Sequence, residues 1–350
     1  MGLTSKETAH RRRKVEVLER PQYGWIWKPL LVLLVLYLVV TLALGIWWSR
    51  TPSHPAAGGE AALEQADGEM ATLAQVQATL QTLLDKPGGY LRNDIAPPGL
   101  WLDNMPAWEL GVLHQTRSLV AALPSMVDGT ADGLESAAVS LRGNGRNWFY
   151  PSTEHHLRRA IEALAQTSAA TAREDSTGLA NWLARVASDL DALGVQLSAS
   201  VGDTRRLAEL GVPVESLPEP TPWYRVDNVF FEARGQTWAL RHLLTAVRQD
   251  KRARIEAAGL SDAWDALIVE LERSQRRLWS PVVLNGSGFG IFANHSLVMA
   301  SHVLKARDLV RELSGGLAAD SADKPDSAAP DAAGENATTT GEPPRETAGE

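Results

Sequence analysis

Residues 29–48, PLLVLLVLYLVVTLALGIWW, run for twenty positions without a charged side chain. A helix rises about 1.5 Å per residue, so the run is roughly 30 Å long, the thickness of a bilayer's hydrocarbon core. Trp25 and Trp27 stand before it and Trp47 and Trp48 close it. Indole rings favour the headgroup interface, so the pairs read as two aromatic belts. A core helix of a soluble protein would keep one polar face. A cleavable signal peptide has a shorter apolar stretch, about 7–15 residues, and a small-residue cleavage site. Here Trp-Trp-Ser-Arg follows, so the segment is expected to stay as a transmembrane helix with the lipid bilayer as its partner. Gly45 forms no small-xxx-small pattern that would mark a packed helix dimer.

The flanks set the expected direction of threading. Seven Lys or Arg precede the run; after Arg50 the next basic residue is Lys86. Basic flanks stay in the cytoplasm, which puts the bulk of the chain on the far side. The net charge of −8 divides into +5 over residues 1–50 and −13 over the remainder. An acidic body of that kind argues against nucleic acid as its partner, because phosphate neutralisation needs a basic face. The chain has no cysteine, which excludes disulfides, thiolate nucleophiles and Cys-based metal sites.

These features divide the 350 residues into a basic cytoplasmic tail (1–28), the transmembrane helix (29–48), a flexible Pro/Gly/Ala tether (49–60), a helical ectodomain (61–316) and a disordered acidic tail (317–350). Within the ectodomain the apolar period is helical. Leu179, Leu183, Val186, Leu190, Leu193 and Leu197 step by four and three, a coiled-coil-like seam. Shorter runs around Leu80, Leu113, Leu157 and Leu267, and a last one over residues 295–313, repeat the theme. The nearest strand candidates are residues 223–231 and 281–284. The predicted fold is all-α, an antiparallel helical bundle. Asp103-Asn104 and Asp227-Asn228, each followed by an aromatic, a Glu and a helix, lie 124 residues apart. Two related helical units in tandem would explain the spacing, as would chance in a helix-rich chain.

Several segments carry a resemblance: GGYL with Asn93-Asp94 over residues 88–94, LDNMPAWE over 102–109, WFYPSTE over 148–154, PWYRVDNVFFEARGQTWAL over 222–240 and SPVVLNGSGFGIFANHSLVMA over 280–300. The chain resembles, over roughly residues 80–310, an uncharacterised family of bacterial inner-membrane proteins, domain of unknown function 2333. The resemblance implies a bacterial inner membrane, and hence an ectodomain in the periplasm. It supplies no activity. The polar stretch 173–177 departs from it, where an aromatic lead-in to the Trp182 helix is expected.

Three kinds of chemistry stand beside simpler structural readings of the same residues. The run Asn285, Gly286, Ser287, Gly288, Phe289, Gly290 before a helix, with His295 nearby, could cradle an anion on backbone N–H groups. It lacks the Gly-Lys-Ser/Thr of a Walker loop and the spacing of a dinucleotide fingerprint. It reads better as a tight turn, with Asn294 or Ser296 capping the helix. Asp103 with Glu109, and Asp227 with Glu232, lie beside aromatics, and two carboxyls about 5–10 Å apart could hydrolyse a glycan. Helix capping is the simpler role. The histidines at 54, 114, 155, 156, 242, 295 and 302 show no metal-ligand spacing, so neither a metal nor another cofactor is expected. The basic clusters at 158–159, 205–206, 251–254 and 276–277 read as solvated helix faces. The leading expectation is therefore a non-enzymatic, anchored protein that binds or organises envelope components, with a further envelope protein as partner. The alternatives are a peptidoglycan-acting enzyme and an anion sensor.

Overall fold

The structure, a computed structural model, describes residues 24–55, 70–129, 132–167, 171–200, 219–276, 283 and 294–322. Among them are ten α-helices: α1 (Gly24–Trp48), α2 (Ala71–Asp85), α3 (Asn104–Ala122), α4 (Asp132–Ser140), α5 (Thr153–Ala165), α6 (Thr177–Ala199), α7 (Val226–Asp250), α8 (Arg252–Ala257), α9 (Ser261–Ser274) and α10 (His295–Ala322). One antiparallel pairing of two residues each, β1 (Val127–Asp128) with β2 (Thr171–Ala172), is the sheet content of the described residues. The all-α expectation holds. The strand reading of residues 223–231 does not: Trp223–Arg225 forms a single 3-10 turn that leads directly into α7. The apolar residues there mark an amphipathic helix whose buried stripe includes Phe230, Ala233 and Trp238, a 3.6-residue period that a short window cannot separate from alternation.

The seam read along α6 is buried from Leu179 to Leu197. Its partner is α10, whose Met299, Val303, Ala306, Val310, Leu313 and Leu317 keep the same four-three rhythm and are also buried. Arg307 Nη1 meets Asp191 Oδ1 at 2.6 Å, and Ser314 Oγ donates to the Ala180 carbonyl at 2.9 Å. The two helices thus run antiparallel with a coiled-coil seam between them. Of the two capping candidates, Asn294 and Ser296, Asn294 caps α10, its Oδ1 accepting from Leu297 N at 2.8 Å. The helix runs on to Ala322, past residue 316, because Leu317 extends the buried seam by one more step.

At the centre of the bundle α3 packs along α7. The contact is nearly self-reciprocal at an offset of 124: a Cβ on Gly111 would lie 2.1 Å from the Glu232 carbonyl oxygen, and one on Gly235 would lie 2.0 Å from the Trp108 carbonyl oxygen. The Trp108 and Trp238 rings meet edge to face, 5.1 Å apart. Most of the remaining pairings follow the same two-fold pattern, the contact of α7 with α10 being an exception. α2 packs on α5 as α6 packs on α10, α4 on α5 as α9 on α10, α3 on α4 as α7 on α9, and α2 on α7 as α6 on α3. The body is therefore two four-helix units, α2–α5 and α6, α7, α9, α10, joined across a pseudo-two-fold axis, with the short α8 as an addition to the second. The spacing noted in the sequence has a structural counterpart in this arrangement.

The segments around α1 and α2 are held from a distance in sequence. Asp250, the last residue of α7, accepts from Ala71 N at 2.9 Å and Thr72 N at 2.8 Å, satisfying two of the orphan donors at the start of α2. α1 ends against the body: Trp48 packs over Gly88, whose φ of +85° and position under the indole both require glycine. Gly45, one turn earlier, lies beside Pro98 and Leu102. Residues 49–55, expected to be a loose tether, instead run as a strap along α7 as far as His242, where the His54 ring stands 6.5 Å away.

Candidate functional site

The four carboxylates singled out in the sequence lie in unlike surroundings, from the buried Glu109 to the exposed Asp103. Glu109 is fully buried. Its Oε1 accepts from Leu91 N at 2.9 Å and contacts Lys86 Nζ at 2.6 Å, and its Oε2 accepts from Arg92 N at 2.7 Å. Burial pushes its pKa above the ordinary carboxylate range, while Lys86 and the two backbone N–H groups pull it back. Three donors on two oxygens hold it as a carboxylate. Lys86 is equally enclosed and also donates to the Gly89 carbonyl. Glu109 is thus a clamp on the loop under Trp48, with no face open to a substrate, and the catalytic role considered for it is withdrawn by its burial.

Asp103 and Asp227 lie close enough to interact electrostatically: burial first, then Asp103, raises the Asp227 pKa. Asp103 stands at the N-cap of α3 but makes no side-chain capping bond. Asp227 sits inside the first turn of α7 and accepts from Asn228 N at 3.1 Å. Glu232 is half-buried. Burial raises its pKa, opposed by His114, Arg92, Gln236 and Arg225 around it. Of the proposed anion loop, Asn285, Gly286, Ser287, Gly288 and Gly290 lie outside the described residues. His295 opens α10 with its ring 6.3 Å from that of Phe230. No cluster of three or more His, Cys, Asp or Glu with metal-binding geometry occurs among the described residues.

The tertiary structure instead assembles a groove that sequence reading missed. The strap, α7 and the end of α9 enclose a cavity of about 1120 Å³ lined by Arg50, Arg234, Arg241, Arg273 and Arg276, with Glu272 as the acid in its wall. Phe231 and Trp238 supply aromatic surface. Arg234 is the anchored member: it is buried, donates from Nη1 to the Arg276 carbonyl at 2.9 Å and from Nη2 to the Gln275 carbonyl at 3.2 Å. It thereby closes the negative end of α9, and desolvation lowers its pKa. Arg241 reaches Glu272 only at 3.7 Å, and Arg273 pairs with Glu270 at 3.1 Å. The concentration of cations is notable because the chain beyond residue 50 is acidic. A faint signal was available: Arg234 and Arg241 are seven apart and so share a helix face, and Arg273 and Arg276 are three apart. What could not be read was that these two faces converge.

One end of the groove is pH-sensitive. His242, buried beside Trp238 and His54, has its pKa lowered to about 4 by burial, then by Arg241 and His54. The folded state thus holds this imidazole neutral, while the unfolded chain takes up a proton near pH 6.5. Stability is complete above that pH and falls as the pH drops towards 4. Between pH 6.5 and 4.5 the loss is about 2–3 kcal/mol. Thermal unfolding of the full chain at the two pH values measures it; His242→Gln should remove most of the difference between them.

The molecule so described belongs to a class of all-helical proteins with one apolar helix attached to a two-unit bundle, here carrying a cationic groove beside the attachment. The chain belongs to a family described as uncharacterised protein conserved in bacteria (DUF2333), which it matches over residues 20–317. No curated protein and no solved structure matches it.

Proposed function

We propose that this is a single-pass membrane protein that binds a phosphate-bearing component of the bacterial envelope in the arginine groove. α1 supports the anchor: Trp27–Trp48 is long and apolar enough to cross a membrane, and its most apolar 18 residues have a mean hydropathy of 2.8. Its side chains between Leu30 and Leu42 are largely exposed, and in water that surface would be strongly unfavourable. The basic N-terminal flank favours a cytoplasmic N-terminus and a body in the periplasm.

The observation that carries the binding reading is the convergence of five arginines, one of them buried, on a single cavity. Guanidinium groups match phosphate oxygens in paired geometry, and partial desolvation strengthens each contact. The groove starts at Arg50, two residues past the apolar span, at the level where lipid phosphates lie. Binding, rather than turnover, fits a site whose wall offers five cations and two aromatics against one acid, Glu272.

The test is titration of the detergent-purified full chain with glycerol 1-phosphate, and in parallel with lipid nanodiscs that contain or lack phosphatidylglycerol. Binding should weaken as salt is raised. The triple variant Arg50→Gln/Arg241→Gln/Arg276→Gln should bind at least about 100-fold more weakly, each charged hydrogen bond contributing roughly 1.5–3 kcal/mol. Arg234 is left intact because it also closes α9. A response to the soluble phosphate alone would mark a free ligand, and a response to the lipid alone a headgroup. Absence of both responses in the unmodified protein, or their survival in the triple variant, would end the proposal.

A further inference from the structure

We propose that the end of the bundle from which α1 emerges is itself seated in the headgroup region of the bilayer, so that the body is docked on the membrane rather than suspended from it. This rests on α1 spanning a bilayer. Three loops separated in sequence bring large apolar side chains to this end: Leu100 and Trp101 before α3, Trp148, Phe149 and Tyr150 before α5, and Trp223 before α7. All six are more than half exposed, Trp223 at 87 %. Soluble surfaces seldom gather so many large aromatics.

Their common location follows from contacts. Trp48 shares a 290 Å³ cavity with Ile95, Pro97 and Trp148. The turn holding Leu100 and Trp101 is flanked by Pro98 and Leu102, both of which lie against Gly45. Gly45 lies three residues inside the apolar span, so this turn stands at the depth of the belt formed by Trp47 and Trp48. Trp223 precedes α7, whose first turn adjoins that of α3 through Asp227 and Asp103. Arg146 and Arg225 are exposed in or next to the same loops, with Asp103 as an exposed acid and Asp94 and Glu154 in the wall of the Trp48 cavity. Indole and phenol rings with nearby guanidiniums are the chemistry of the interface, where rings lie among glycerol groups and arginines reach lipid phosphates. Lipid is therefore the occupant, because the span of this same chain places it against these loops.

The absence of cysteine lets single labels report depth without background. Leu36→Cys, Leu100→Cys, Phe149→Cys, Trp223→Cys and Thr245→Cys are each spin-labelled in the full chain and reconstituted at one copy per lipid nanodisc. Relative collision rates with oxygen and with a water-soluble nickel chelate give the depth. Leu36 reports the span, and Thr245, an exposed position near the far end of α7, reports water. The oxygen-to-nickel ratio at positions 100, 149 and 223 is expected to exceed that at 245 several-fold and to stay below that at 36. A lipid value at 36 with water values at 100, 149 and 223 would overturn the docking and leave the anchor standing. A water value at 36 would remove both. Labels at 100, 149 and 223 shielded from both reagents would mean that protein, not lipid, covers the end, which also overturns it. Retained helix content and melting for each variant exclude misfolding as the cause.

Discussion

Glu109→Ala is expected to destabilise the full chain by about 3–5 kcal/mol, because it leaves the enclosed Lys86 ammonium without a counter-charge. It also strands the Leu91 and Arg92 N–H groups, which lose the carboxylate as their acceptor. For a body of this size that corresponds to a fall in melting temperature of roughly 10 °C, measurable by circular dichroism in detergent. The damage should reach α1, since the clamped loop carries Gly88 under Trp48. Release of that contact would show as a red shift in the emission of Trp48, followed in a background where the exposed tryptophans are replaced. Lys86→Met/Glu109→Gln removes both charges and keeps an acceptor for the backbone donors, so it should recover most of the lost stability. If Glu109→Ala melted within a degree or two of the unmodified chain, the clamp would be of no energetic consequence and its carboxylate would be available for another role.

Gly111→Ala and Gly235→Ala should each cost about 1–3 kcal/mol. Each new methyl would collide with a backbone carbonyl on the facing helix, at 2.1 and 2.0 Å, and a carbonyl cannot rotate aside as a side chain can. Relief requires that α3 and α7 move apart, loosening the Trp108–Trp238 contact between them. Because one separation accommodates both methyls, the double variant should cost clearly less than the sum of the singles. Near-equal single effects with strong non-additivity are the signature of the pseudo-two-fold contact. Full additivity would mean that the two glycines act at independent sites and that the reciprocity at an offset of 124 has no energetic content.

The success and failure of sequence reading follow one physical division. Helical period is a local property, set by how side chains at i, i+3 and i+4 share a face. For that reason the α6 seam and the Asn294 cap were legible residue by residue. The apolar run over residues 29–48 was legible too, since its length and hydrophobicity alone determine what environment suits it. Asp103 and Asp227 read as caps, because the chemistry of a residue before a helix favours that role, yet Asp103 makes no capping bond and Asp227 lies inside the first turn of α7.

Contacts between distant segments left no trace in composition or spacing. Glu109 reads as a first-turn acid and is a buried clamp. Asp250 reads as a helix end and caps α2 from 179 residues away. The arginines of the groove read as solvated faces until the strap, α7 and α9 are brought side by side. The all-helical architecture, the single apolar helix and the possibility of two tandem units were therefore determined by the sequence itself, through local periodicity and transfer free energy. The identity of the charges that face one another, and the end of the bundle that meets α1, were decided only by tertiary packing. Burial and the distance between charges set those energies, and neither quantity exists until the chain has folded.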